Sequence, residues 1–127
     1  MSRELASKYL RWETRGPVAW VTIDRPERRN ALTSNMYFGI RQAVDRVNAS
    51  SRLHALVLTG TGDVFAPGGE MGGEHDDGDD MGALLGPGVV PFEAIRESRK
   101  PVVASVNGLC MGGGLLITML SDLAIAS

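Results

Sequence analysis

Apolar positions along the chain come in short blocks separated by polar, glycine- or proline-bearing turns. Residues 18–24 (VAWVTID) are dense in β-branched and aromatic side chains and lie between Gly16-Pro17 and Arg25-Pro26. That predicts a strand, paired with residues 9–14. A proline-punctuated polar turn over 25–30 follows. Thr33 or Ser34 then caps a helix running to about Asn48, because Met36, Ile40, Ala43, Val44 and Val47 recur at three- and four-residue steps and make one buried face. Residues 53–59 (LHALVLT), ended by Gly60-Thr61-Gly62, read as a buried strand.

From Gly60 to Gly88 apolar periodicity disappears and glycine is frequent, which predicts a long loop of the functional or mobile kind. A short helix over 91–97 and a second buried strand over 102–106 come next. Asn107-Gly108 makes a turn, Gly112-Gly113-Gly114 opens an apolar helix over 115–120, and residues 122–126 (DLAIA) start a strand with nothing after it to pair with. Alternating strands and helices predict an α/β layered fold with crossover connections. Such a fold closes its core with more elements than these, so the pattern predicts that residues 1–127 are the N-terminal portion of a single domain, truncated at the C-terminus.

Composition narrows the function classes. The 127 residues carry a net charge of −2, too little positive charge to hold nucleic acid or an anionic membrane by electrostatics. A local basic patch at Arg25, Arg28 and Arg29 suits a small anionic ligand. The single cysteine, Cys110, excludes an internal disulfide and fits a reducing compartment. Residues 1–12 are too charged for a signal peptide, and no apolar stretch approaches the length of a membrane span. The expectation is a soluble, cytoplasmic protein.

Two glycine-rich segments carry the candidate chemistry. One is Phe65-Ala66-Pro67-Gly68-Gly69-Glu70, after the strand at 53–59, and the other is Gly112-Gly113-Gly114, after the strand at 102–106. Glycine lets backbone N–H groups approach a ligand, and a helix N-terminus offers donors that the helix itself leaves unused. Two N–H groups converging from separate loops are the parts of an oxyanion hole. Pro67 has no N–H, so Gly68 or Gly69 must supply the donor in the first loop. Taken singly, such glycine turns are only tight turns.

Other polar residues read as structural. Cys110 lies in an apolar setting without a basic neighbour in sequence and reads as a buried thiol. His54 reads as a packed or surface histidine. The acidic cluster at 75–80 (HDDGDD) lacks the spacing of a calcium loop and reads as a solvated loop, so no metal site is expected. There is no GxGxxG, no Walker-type GK[ST] and no G-x-S-x-G, which argues against dinucleotide binding, nucleoside triphosphate binding and serine hydrolase chemistry.

The order of motifs is more specific than any one of them. Arg25-Pro26, then Asn30-Ala31-Leu32, then LVLTGTGDVFAPGGE, then KPVVASVNGLCMGGG and SDLAIAS resembles the enoyl-CoA hydratase/isomerase (crotonase) family from about Val18 to the C-terminus. The resemblance implies a spiral of ββα repeats, assembled as a homotrimer or hexamer when full length. It also implies an acyl-CoA thioester substrate, with coenzyme A entering as part of that substrate and no separate cofactor. Carried over, the oxyanion donors fall on Gly69 and Gly113, and Arg28, Ala31, Ala66 and Gly68 become contacts of coenzyme A, Arg28 for its charge. Where hydratases of the family have a catalytic glutamate, two places after the glycine triplet, this chain has Leu116. Leucine neither holds a water nor shuttles a proton. That shifts weight from a two-glutamate hydratase to an isomerase or a hydrolase-like member, and leaves a non-catalytic acyl-CoA-binding protein as the alternative. Glu70 stands where the family more often has aspartate, and it reads as orienting the loop.

Overall fold

The computed structural model describes residues 5–67 and 91–126. Strand β1 (Leu10–Arg15) and strand β2 (Val18–Ile23) form an antiparallel hairpin, from Leu10 opposite Ile23 to Arg15 opposite Val18. Burial alternates along β2, with Ala19, Val21 and Ile23 facing the core. Helix α1 (Ser34–Ala49) begins at Thr33, whose Oγ1 accepts a hydrogen bond from Met36 N at 3.0 Å. That settles which of Thr33 and Ser34 is the cap. Its predicted face is buried, and Asn35 and Gly39 join it because the Leu10 side chain packs across Gly39.

The remaining elements are β3 (Ala55–Gly60), β4 (Val64–Ala66), α2 (Phe92–Glu97), β5 (Val102–Val106), β6 (Leu109–Cys110), α3 (Gly112–Leu120) and β7 (Leu123–Ala126). Five strands make one sheet in the order β1-β2-β3-β5-β7, parallel except for β1. Strands β4 and β6 pair with each other, also in parallel, in a separate small sheet. Twice in succession, therefore, a long strand enters the large sheet, a short one enters the small sheet, and a helix follows. These are two turns of a ββα spiral, β3-β4-α2 and β5-β6-α3.

Two features differ from the sequence-based expectation. The region from Gly60 to Gly88 is not wholly loop, since β4 is a strand within it, and β6 is a further short strand after the Asn107-Gly108 turn. They are three and two residues long, too short for any alternation to register, and their pairing joins segments more than forty residues apart. The last strand also has a partner: β7 pairs in parallel with β5, from Val103–Leu123 to Val106–Ala126, and forms the edge of the large sheet. Its partner is an earlier strand, reached through the crossover that α3 provides back to β5. Residues 68–90, including Glu70 and the acidic cluster at 75–80, lie outside the described residues.

The core joins Val21, Ile23, Leu56, Leu58, Val102 and Ala104 of the sheet to Met36, Ile40 and Val44 of α1, Ile95 of α2 and Ile117 of α3. Among the described residues no helix is long and apolar enough to cross a membrane. Lys100 ties the layers together. Its ammonium donates to the carbonyls of Val47 at 2.8 Å, of Leu53 at 2.6 Å and of Ser50, around the C-terminal end of α1. A cation there satisfies carbonyls that the helix leaves open and complements the negative end of its dipole. Lys100→Met keeps the aliphatic stem and removes these contacts. It is expected to lower stability by about 1–2 kcal/mol, read as a lower urea midpoint at unchanged slope.

Candidate oxyanion site

The parallel pairing of β4 and β6 builds the site. Parallel strands deliver their C-terminal ends to the same edge, so the segment after Ala66 and the glycine triplet after Cys110 emerge side by side. The glycine segments thus follow the two short strands, and not directly the long strands at 53–59 and 102–106. Met111, the residue before α3, donates its N–H to Ala66 O at 3.0 Å and lashes the two exits together. Helix α3 then starts at Gly112, and no side chain caps it. Leu115 N bonds Met111 O at 3.2 Å, so the N–H groups of Gly112, Gly113 and Gly114 are the first-turn donors that the helix cannot use.

Glycine at 114 is dictated by close approach to backbone, and glycine at 113 leaves room for a side chain from α1. A Cβ on Gly114 would stand 2.2 Å from Ala66 O and 2.6 Å from Ala66 Cβ. A Cβ on Gly113 would stand 2.0 Å from the hydroxyl oxygen of Tyr37, in the first turn of α1. Three chain segments therefore meet at the start of α3: the exit of β4, the triplet itself and the head of α1. The hydroxyl of Tyr37 is a feature that sequence reading missed, because Tyr37 borders the apolar stripe of its helix and its partner at residue 113 is remote in the chain.

A second knot connects the 25–30 turn to β4. Asn30 is buried, with a backbone φ of +64° that asparagine tolerates better than most residues. Its Nδ2 donates to Val64 O at 2.9 Å and Phe65 O at 3.3 Å, while its Oδ1 accepts from Arg25 N at 2.8 Å. Asn107 does a similar job from the other strand: its Oδ1 accepts from Gly60 N at 3.1 Å and its Nδ2 donates to Gly62 O at 2.8 Å. Asn30 and Asn107 were visible only as motif and turn residues. What they hold is the backbone on which the site stands.

The predicted residues divide as follows. Ala66 is fully buried and beside the triplet. Ala31 is half-buried, and its carbonyl accepts from Arg25 Nη1 at 2.9 Å. Arg28 is exposed on the 3-10 turn Pro26–Arg28, one turn of chain from Asn30. Gly68 and Gly69 lie outside the described residues. The expected basic patch needs correction at Arg25, which is fully buried: its guanidinium lies 4.9 Å from the Tyr9 ring centroid and braces the turn through Ala31 O. Buried in this way, it cannot meet a ligand at the surface. Arg29 instead lines a shallow cleft of about 200 Å³ with Asp24, Asn30, Thr61 and Asp63.

Leu116 follows Gly113 by three residues on α3 and is 39% exposed, so an aliphatic side chain stands on the open side of the helix. Cys110 is half-buried, with Sγ 3.2 Å from Thr118 Oγ1, which in turn donates to Gly114 O at 3.0 Å. His54 is exposed. Among the described residues no three His, Cys, Asp or Glu side chains gather as a metal site would require.

Two ββα turns, with a glycine-opened helix lashed to the exit of β4, define the class of fold. Residues 13–127 match the Enoyl-CoA hydratase/isomerase family, and the chain belongs to it. It is 35% identical over 120 residues to a short-chain-enoyl-CoA hydratase of Clostridium acetobutylicum, covering 91% of this chain and 45% of that protein. It is 32% identical over 117 residues to a probable enoyl-CoA hydratase of Mycobacterium tuberculosis, covering 86% of this chain and 43% of the relative. The structure of Pseudomonas aeruginosa DspI superposes with a TM-score of 0.80 at 32% identity, over 98% of this chain and 48% of that one. The chain thus spans about half the length of the relatives it matches.

Proposed function

We propose that the protein binds an acyl-CoA thioester and polarises its carbonyl between the N–H groups of Gly113 and Gly69. The observation that carries this reading is the uncapped glycine start of α3, lashed by Met111 to the exit of β4 in a chain of this family. Negative charge that builds on the thioester oxygen when the neighbouring carbon is deprotonated or attacked is stabilised there, and an enolate-like intermediate results. Coenzyme A enters as part of the substrate, with Arg28, Ala31, Ala66 and Gly68 as its contacts and no further cofactor. The setting is a cytoplasmic homotrimer or hexamer.

Leu116 removes one proton-transfer group, so double-bond isomerisation or hydrolase-like chemistry fits better than two-carboxylate hydration. The same leucine supports a second reading, a non-catalytic acyl-CoA-binding protein. Turnover of an enoyl-CoA by the purified protein would exclude that reading.

Affinity supplies the primary test. An acyl-CoA and the S-alkyl-CoA thioether of the same chain length differ chiefly by the carbonyl. The protein is expected to prefer the thioester on the order of tenfold, the worth of one or two hydrogen bonds. Equal affinity for the two would remove the oxyanion assignment.

A further inference from the structure

Tyr37 brings its polar end against the start of α3 from an element remote in sequence. It stands in the first turn of α1, four residues after Thr33. Its ring meets Phe92 of α2 edge to face, with centroids 5.8 Å apart and planes at 67°. Held there, its hydroxyl oxygen fills the space in which residue 113 would carry a Cβ, 2.0 Å from that ideal position. Only glycine at 113 admits this approach. The phenol oxygen therefore stands against the α-carbon of Gly113, the residue whose N–H the proposed function uses, and the Tyr37 ring packs edge to face on Phe92.

The chemistry of the group suits the place. A phenol O–H is a stronger donor than a peptide N–H, and burial pushes the Tyr37 hydroxyl above its ordinary range, so it stays protonated. A carbonyl oxygen turning into an enolate gains capacity for a further hydrogen bond, and a pre-oriented donor costs no reorganisation at that moment. Leu116, one helical turn from Gly113, brings no carboxylate that would compete for the phenol proton.

We infer that Tyr37 is a direct ligand of the substrate, its hydroxyl donating to the thioester carbonyl oxygen as a side-chain member of the oxyanion hole alongside Gly113 N–H. The inference rests on the acyl-CoA reading above and adds a specific residue to it.

The test is Tyr37→Phe, which keeps the ring on Phe92 and removes only the hydroxyl. Dissociation constants of the acyl-CoA and of its S-alkyl-CoA thioether are measured for both proteins, with thermal midpoints as the folding control. The expected result is an acyl-CoA affinity about 3- to 10-fold weaker in the variant, with the thioether unchanged. Affinity lost equally for both compounds would make Tyr37 a packing residue and overturn the inference. Full retention of the carbonyl preference in Tyr37→Phe would overturn it while leaving the Gly113 assignment intact. A wild-type protein with no carbonyl preference would overturn both. If Tyr37→Phe unfolds, the same comparison with 3-fluorotyrosine at position 37 keeps the ring, and the carbonyl preference should then shift with the more acidic phenol. An unshifted preference would overturn the inference.

Discussion

Gly114→Ala is expected to destabilise the protein by about 2–3 kcal/mol, lowering the thermal midpoint by on the order of 10 °C. Two effects oppose each other at this position. Gly114 lies inside α3, where alanine is the better helix former by about 1 kcal/mol. Against that, the added methyl would stand 2.2 Å from Ala66 O, a backbone atom that already accepts the Met111 N–H. A flexible side chain could swing aside, but the exit of β4 cannot move without breaking its pairing to β6. The clash therefore outweighs the propensity. Gly16→Ala is the useful comparison: φ is +59° there, but nothing lies within 4 Å of the added methyl. That change is expected to cost only about 1–2 kcal/mol, the left-handed penalty alone. Thermal melts of the two variants separate the mechanisms, and a Gly114→Ala protein as stable as wild type would mean that the two exits are not pressed together. Since the same contact positions the triplet, acyl-CoA affinity is expected to fall with stability in Gly114→Ala and not in Gly16→Ala.

Asn30→Ala is expected to cost about 3–5 kcal/mol, because it removes three hydrogen bonds to buried backbone groups at once. The Phe65 carbonyl loses the Asn30 donor, the Arg25 N–H loses the Asn30 acceptor, and the Val64 carbonyl is left with only the longer bond from Asn107 Nδ2 at 3.2 Å. Asn30 is only 1% exposed, so water has little access to replace these bonds. Asn30→Asp separates hydrogen bonding from packing. It preserves volume and the acceptor for Arg25 N, but turns acceptor oxygen toward two carbonyls. It is expected to destabilise at neutral pH at least as much as the alanine change, as measured by chemical unfolding. An aspartate variant near wild-type stability would show that the side chain mainly fills space. Loss of this knot also frees the strand that ends at Ala66, so residual folded Asn30→Ala is expected to bind acyl-CoA more weakly.

Much of the fold was legible because it is written in local pattern. The β1–β2 hairpin, the face and limits of α1, and strands β3 and β5 follow from alternation, three-to-four spacing and flanking glycine or proline, each a property of neighbouring residues. The ordered motifs also identified the family and pointed to Gly113 as a donor. Helix α3 begins at Gly112, inside the triplet and ahead of the apolar run at 115–120, because the first bond of the helix runs from Leu115 N back to Met111 O.

The rest depended on contacts between distant segments, which no local pattern records. Strands β4 and β6 exist because they pair with each other across more than forty residues, and β7 exists because α3 carries it back to β5. Arg25 reads as a surface cation in sequence, yet its stacking on Tyr9 and its bond to Ala31 O make it an internal brace. Tyr37 borders the apolar face of α1 with nothing in sequence to single it out, and the packing of α1, α2 and α3 brings its hydroxyl to Gly113. By itself the sequence determined the longer strands and helices and which family the chain joins. Tertiary structure alone decided the short strands, which backbone Gly114 approaches, and which side chain stands against Gly113. Secondary structure answers to neighbours in the chain, whereas a site is made by neighbours in space.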